Sequence, residues 1–243
     1  MRVDVVSTAE ALNAARVRQR TVLVVDILRA STTMIAALAN GCAAIVPAPD
    51  ADTARRLTRG LPAGTWLLAG ERRGEPIPGF DLGNSPLEFV AERVADRTIV
   101  MSTSNGTRTL LAARGAAAIG VAALVNLGAV AGWAVAGGRD VTVACAGERG
   151  AVSLEDLVAA GLLVERMASD EPAAALTPEA REAMRAAAAY GKDVARLAET
   201  STWARHLVRR GRAADVAACL LLDATTLVPE YLPAIDKVVR GPR

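Results

Sequence analysis

The sequence predicts an α/β fold in which mainly parallel sheets carry flanking helices. Three stretches share one layout: a β-branched run, a polar loop, a helical run and a closing glycine. They are "VLVVDILRASTTMIAALANG" (22–41), "IVMSTSNGTRTLLAARG" (99–115) and "VTVACAGERGAVSLEDLVAAG" (141–161). Each apolar run is short enough for a buried strand, and strands that alternate with helices imply right-handed crossovers and parallel neighbours. Composition agrees: 52% of the 243 residues are apolar, many of them alanine, and only 3% are aromatic. That mixture suits helices lying close on a flat surface. The length permits one large domain or two small ones, and the repeated layout suggests two lobes, near 1–115 and 116–243.

In chain order, "STAEALNAARV" predicts a helix opened by a capping box of Ser7 and Glu10. The run before Asp26 is a strand, and the helix after it stops at Gly41. "ADTARRL" reads as helix and "TWLLAGE" as a strand entering a loop. In "NSPLEFVAERV", Ser85 is the predicted N-cap, Pro86 takes the first helical position and Glu88 lies three after the cap. The second unit ends its helix at Gly115. No charge occurs from Gly115 to Gly138, but Asn126 interrupts that stretch. It reads as a strand, "AIGVAALV", then a helix N-capped by Asn126, rather than a membrane span. The third unit ends its helix at Gly161, and three helical runs follow: "TPEAREAMRAAAAYG", "STWARHLVRRG" and "AADVAACLLLDAT".

A formal charge of +2 does not predict a nucleic-acid partner, and the basic cluster Arg205 to Arg212 reads as the wet face and end of a helix. Cys42, Cys145 and Cys219 are odd in number and far apart, which fits a reducing cytosol and no disulfide framework. The first residues lack an apolar segment long enough for a signal peptide. A cytoplasmic protein without a membrane partner is expected.

In open parallel sheets ligands bind beyond the carboxyl ends of strands. The loops placed there hold Asp26, Arg29, Ser31, Thr32 and Thr33; then Ser102 to Thr107; then Cys145, Glu148, Ser153, Glu155 and Asp156. A fourth loop, 69–86, adds Glu71, Arg72, Arg73, Asp81 and Asn84. Hydroxyls and free amides at helix starts seat anions, and arginine adds a fork that matches phosphate oxygens. Several carboxylates beside such a seat would repel an anion unless a cation lay between them. Magnesium suits that position, because it takes oxygen ligands and bridges carboxylates to phosphate. These residue types suggest a magnesium-assisted phosphoryl enzyme.

Plainer roles compete. Single hydroxyls in "STSNGT" are often only caps, and Glu155 and Asp156 sit where a helix's first turn favours acids. The plain role for Asp26 is a salt bridge with Arg29, because a buried unpaired acid there would be costly. The one histidine, His206, in "WARHLVRR", reads as a surface residue, against a Ser–His hydrolase. Other phosphatase signatures fail: Leu28 stands where a paired-aspartate motif needs a second acid. Ala151 stands where a cysteine phosphatase loop needs arginine, and no Walker-type loop occurs. Cys145 reads as a small packed residue.

With these loops assembled, the sequence resembles the 2-phosphosulfolactate phosphatase family, the ComB-like proteins of coenzyme M biosynthesis. "VVDILRASTT", "GERRGEPIPGFDLGNSP", "TSNGT", "CAGERGAVSLED" and "GRAADVAACLLLDATTLVP" carry the resemblance, from residue 24 to about 229. It implies magnesium-dependent hydrolysis of 2-phospho-3-sulfolactate to 3-sulfolactate and phosphate. It also implies two similar lobes around a cleft. The chain departs from the family's loop at Arg73, where glycine is implied.

Together these readings assign roles as expectations. Asp26 and Asp81, helped by Glu155 or Asp156, hold magnesium. Arg29, with the amides and hydroxyls of Ser31, Thr32 and Thr33, holds the phosphoryl group. Ser104, Asn105, Gly106 and Thr107 complete the cradle, and Arg72 and Asn84 receive the substrate's acid end. Attack by water and an aspartyl-phosphate on Asp26 both stay open. So do a phosphatase for another phosphorylated 2-hydroxy acid and a non-catalytic anion-binding module. Alanine-rich helices leave room for a homodimer.

Overall fold

The computed structural model describes residues 1–191 and 193–241. Its strands are β1 (Arg2–Val6), β2 (Thr21–Val25), β3 (Ala44–Pro47), β4 (Trp66–Arg72), β5 (Glu75–Pro76) and β6 (Thr98–Ser102). They continue as β7 (Ala118–Ala122), β8 (Val141–Cys145), β9 (Ala175–Leu176), β10 (Pro229–Leu232) and β11 (Lys237–Arg240). All join one mixed sheet in the order β5-β4-β6-β3-β11-β10-β7-β2-β8-β1-β9, flanked by helices.

Two parallel blocks stand on either side of a central antiparallel hairpin. β4, β6 and β3 form one block, and β7, β2, β8, β1 and β9 the other. The three junctions from β3 through β11 and β10 to β7 are all antiparallel, so the blocks run in opposite senses. The sheet does not divide along the chain near residue 115: β1 and β2 pair with β8 and β7 of the second half. Chain-order lobes fail because a parallel strand needs a crossover, and crossovers interleave distant segments.

The central strands show why the apolar runs were legible. Every residue of β2 and of β8 is buried, as expected for parallel strands covered on both faces. The uncharged stretch resolves into β7 and the Leu127–Ala136 helix. No helix is long and apolar enough to cross a membrane among the described residues.

Four local expectations are corrected. The Ser7 box does not form; a short 3-10 turn at Ala9–Ala11 precedes an Ala14–Val17 helix capped by Asn13. Ser85 does not cap a long helix, because its hydroxyl donates to Asp215 and only a 3-10 turn, Pro86–Glu88, follows. Asn126 stands at an N-cap position, yet its amide accepts from Ala123 N and donates to Val121 and Leu227 carbonyls instead. Gly161 does not end its helix, which runs from Leu154 to Asp170.

Gly161 is there for close approach. A Cβ on it would lie 2.0 Å from the Ala183 carbonyl oxygen of the neighbouring Pro178–Ala188 helix. That helix turns Ala180, Ala183 and Ala187 inward, so the backbones meet with little side chain between them. Gly161→Ala is therefore expected to destabilise the protein by about 1–3 kcal/mol, despite alanine's better helix propensity. Urea denaturation would show it, and an unchanged midpoint would mean the two helices slide apart freely.

Candidate active site

Loops that follow β2, β4, β6 and β8 meet in one cleft of about 560 Å³, with Trp203 of the Thr202–Arg209 helix at its side. The opposed blocks thus bring their loops together, although no single sheet edge carries all four.

The buried side chains of the cleft include four acids. Asp26, Glu71, Glu155 and Asp156 all line the cleft and are all buried. Asp26 directly follows β2, and its Oδ1 accepts the Ala30 amide at 3.2 Å. Glu71 clamps two loops: its oxygens accept Ser104 N at 2.7 Å, Gly74 N at 2.7 Å and Ser104 Oγ at 3.1 Å. Asp156 does the same for Ile27 N at 2.8 Å and Gly147 N at 3.2 Å. Glu155 accepts only from Ser201 Oγ, at 2.6 Å, through Oε2. None of the four forms an ion pair among the described residues.

Their charges consequently work against one another. Burial, then repulsion from Glu71 and Glu155, pushes the Asp26 carboxyl up to about 7, although the Ala30 and Gly106 amides pull it down. Burial, then Asp26 and Glu155, holds Asp156 well above the usual carboxylate range. Gly106 is needed here for space: a Cβ on it would come within 2.7 Å of Asp26 Oδ2 and 2.6 Å of the Ala30 Cβ.

Arg29 faces elsewhere than expected. Its guanidinium donates to Asp215 Oδ2 at 2.5 Å and to the Gly74 carbonyl at 2.9 Å, and both charged partners are buried. The pairing of Arg29 with Asp26 does not occur. Asp215 escaped sequence reasoning because it lies far along the chain in an alanine-rich helix, with no local motif around it.

The hydroxyls of Ser31, Thr32 and Thr33 are not among the lining groups. They brace the turn by donating to the Val24, Ile27 and Asn84 carbonyls. Thr107 likewise bonds Thr103, and Gly106 serves as packing space, whereas Ser104 and Asn105 line the cleft. Asp81 stays outside it. That carboxylate is exposed and accepts Leu68 N at 2.8 Å, tying its own loop to β4. Arg72 lines the cleft but is fastened to Ser102 Oγ at 2.8 Å and to the Ser102 and Glu71 carbonyls. Asn84 lines it too, and its buried Oδ1 has no partner. Cys145 is buried and its thiol pushed well up by burial, as suits a packed residue.

Three cleft residues that went unassigned are cations. Arg73, Arg108 and Arg149 line the cleft and are exposed, and none makes a salt bridge among the described residues. Four buried acids thus share the cleft with three exposed arginines, beside which exposed Asp50 and half-buried Glu148 also stand. The arginines attract polyanions, while the buried acids repel them unless a cation or protons intervene.

Comparison with known proteins agrees with this chemistry. The family described as 2-phosphosulpholactate phosphatase matches residues 6–233. A probable 2-phosphosulfolactate phosphatase of Symbiobacterium thermophilum is 39% identical over 215 residues, covering 87% of this chain and 91% of the relative. Proteins of the same description from Caldanaerobacter subterraneus subsp. tengcongensis and Gloeobacter violaceus are 32% and 38% identical. These cover 92% and 86% of this chain and 92% and 87% of their own lengths. The chain belongs to this family.

Proposed function

From that membership and the cleft's buried acids and exposed arginines we propose that the protein is a magnesium-dependent phosphatase that hydrolyses 2-phospho-3-sulfolactate to 3-sulfolactate and phosphate. The observation that carries the reading is the group of four buried carboxylates that form no ion pair among the described residues, in a small cleft that exposed arginines also line.

The donor set fits magnesium. All four groups offer hard oxygens, and Asp26 and Glu155 are the least committed to protein donors. Among the described residues no three acidic, histidine or cysteine side chains form a ready ligand cage. Magnesium asks for none, since it keeps several waters and shares one or two carboxylates with substrate phosphate. Asp26 and Glu155 would hold it, with Asp156 adjoining; bound there, it would neutralise phosphate oxygens.

The chain's own groups do the remainder. Glu71 and Asp156 fix the loops, so that Asp26 is held against the Ala30 amide rather than swinging free. Ser104 and Asn105 border the same space and offer polar contacts to phosphoryl oxygens. Asp26 would also take a proton from an attacking water or attack phosphorus itself.

Phosphate release from 2-phospho-3-sulfolactate, with magnesium and with excess chelator, tests this beside phospholactate and an aryl phosphate. Release is expected to need magnesium and to favour the sulfonate ester by about tenfold or more. Turnover that survives the chelator would remove the metal from the reading. Equal rates on phospholactate would keep the chemistry and discard the substrate, and no turnover at all would favour an anion-binding module.

A further inference from the structure

We propose that Arg73, Arg108 and Arg149 together form a subsite for a second strongly acidic group of the substrate, and so set its preference for polyanionic esters. This rests on the phosphatase reading above. The three come from different loops, after β4, β6 and β8, yet all face one cleft of about 560 Å³. Their guanidinium groups are uncommitted: each is exposed, and none forms an ion pair among the described residues. Arg72, the sequence's candidate for this task, is occupied by Ser102 and Glu71.

Backbone geometry adds an independent observation. Arg73 has φ of 54° and Arg149 φ of 52°, both in the left-handed region that favours glycine. Each stands directly before a glycine that is also at positive φ, Gly74 and Gly150. A long cationic side chain in that conformation costs stability, and such costs persist where the side chain is used. Arg108 stands in the first turn of the Gly106–Ala112 helix, where a cation gains nothing from the helix dipole. Local backbone structure thus favours none of the three cations, although Glu148 lies near enough to Arg149 to feel its charge, and their shared outlook is the cleft.

Four of the cleft's acids are buried and the three arginines are exposed, so a phosphate held on a cation at the buried acids would leave the rest of the substrate towards the arginines. A phosphate so held leaves a carboxylate or sulfonate a few bonds away, within reach of the arginines. Guanidinium matches such oxyanions through paired donors, each a charge-assisted bond.

Arg73→Gly, Arg149→Gly and the double variant test the assignment, with thermal unfolding as the fold control. Glycine suits the left-handed backbone, so Tm should hold or rise. The double variant's kcat/KM on 2-phospho-3-sulfolactate should fall about 100-fold, mostly through KM, but on an aryl phosphate no more than about threefold. An equal fall on both esters would mean that the arginines hold the phosphate and would overturn the proposal. Calorimetric binding of 3-sulfolactate needs no turnover and separates the two readings. If the native protein hydrolyses no ester, binding weakened about tenfold or more by the double variant still supports the subsite. Unchanged binding refutes it.

Discussion

Asp26→Asn is expected to lower kcat by about 10²–10³-fold while the fold stays intact, the range seen when one electrostatic group at a reacting centre is lost. Asparagine fits the same space, and its carbonyl can still accept the Ala30 amide that now bonds Oδ1. What disappears is the charge. The same substitution should stabilise the metal-free protein in a pH-dependent way. The Asp26 carboxyl is raised to about 7, above its ordinary value, by burial and by Glu71 and Glu155. A raised acid favours the fold while protonated, so its contribution is full below about pH 4. It drains away as pH climbs through about 7. The asparagine variant escapes that loss. Without metal it should gain roughly 1–3 kcal/mol over the native protein between pH 5 and pH 8. Denaturation at both pH values in chelator checks the sign. A variant with full turnover would remove Asp26 from the chemistry, and a gap that narrows as pH rises would contradict the burial of its charge.

Arg29→Met should act on stability first, at a cost of about 3–5 kcal/mol, the usual result of breaking a buried ion pair from one side. Arg29 and Asp215 are 3% and 5% exposed, so water cannot take over when the guanidinium leaves. Asp215 would retain only the Ser85 hydroxyl, at 2.6 Å, and the Gly74 carbonyl would lose its donor. Combining Arg29→Met with Asp215→Leu removes both charges and should recover much of the loss, which a double-mutant cycle measures. Unchanged stability with abolished turnover would instead return Arg29 to the substrate, as its sequence motif suggested.

Arg29 and Asp26 show where sequence reasoning reaches. β2 and β8 were legible because strands buried on both faces must be continuously apolar, and few other segments look so. Asp26 and Asp156 were legible because an acid beside such a strand or at a helix start stands out locally. Asp215 was not, since its meaning comes from Arg29, 186 residues away. Ser31, Thr32 and Thr33 have the composition of an anion seat, but composition does not show that nearby carbonyls have already claimed their hydroxyls. Asp81 illustrates the opposite error: a motif acid whose carboxylate serves its own loop. Arg73 stood out in the sequence only as a departure from the family's loop, and Arg108 and Arg149 not at all, until four loops were brought to one place.

The hairpin of β10 and β11 was also missed, because its residues, "PEYL" and "KVVR", resemble neither a buried run nor a clean alternation. Its position has a consequence for how the molecule is assembled. All nine other strands lie before residue 177, yet β3 and β7 meet only through this pair. A nascent chain can build both parallel blocks and still expose one unpaired edge on each. Such edges invite association with other chains. The seam closes only when residues 229–240 slot between them, so a hairpin made after both blocks turns two half-sheets into one.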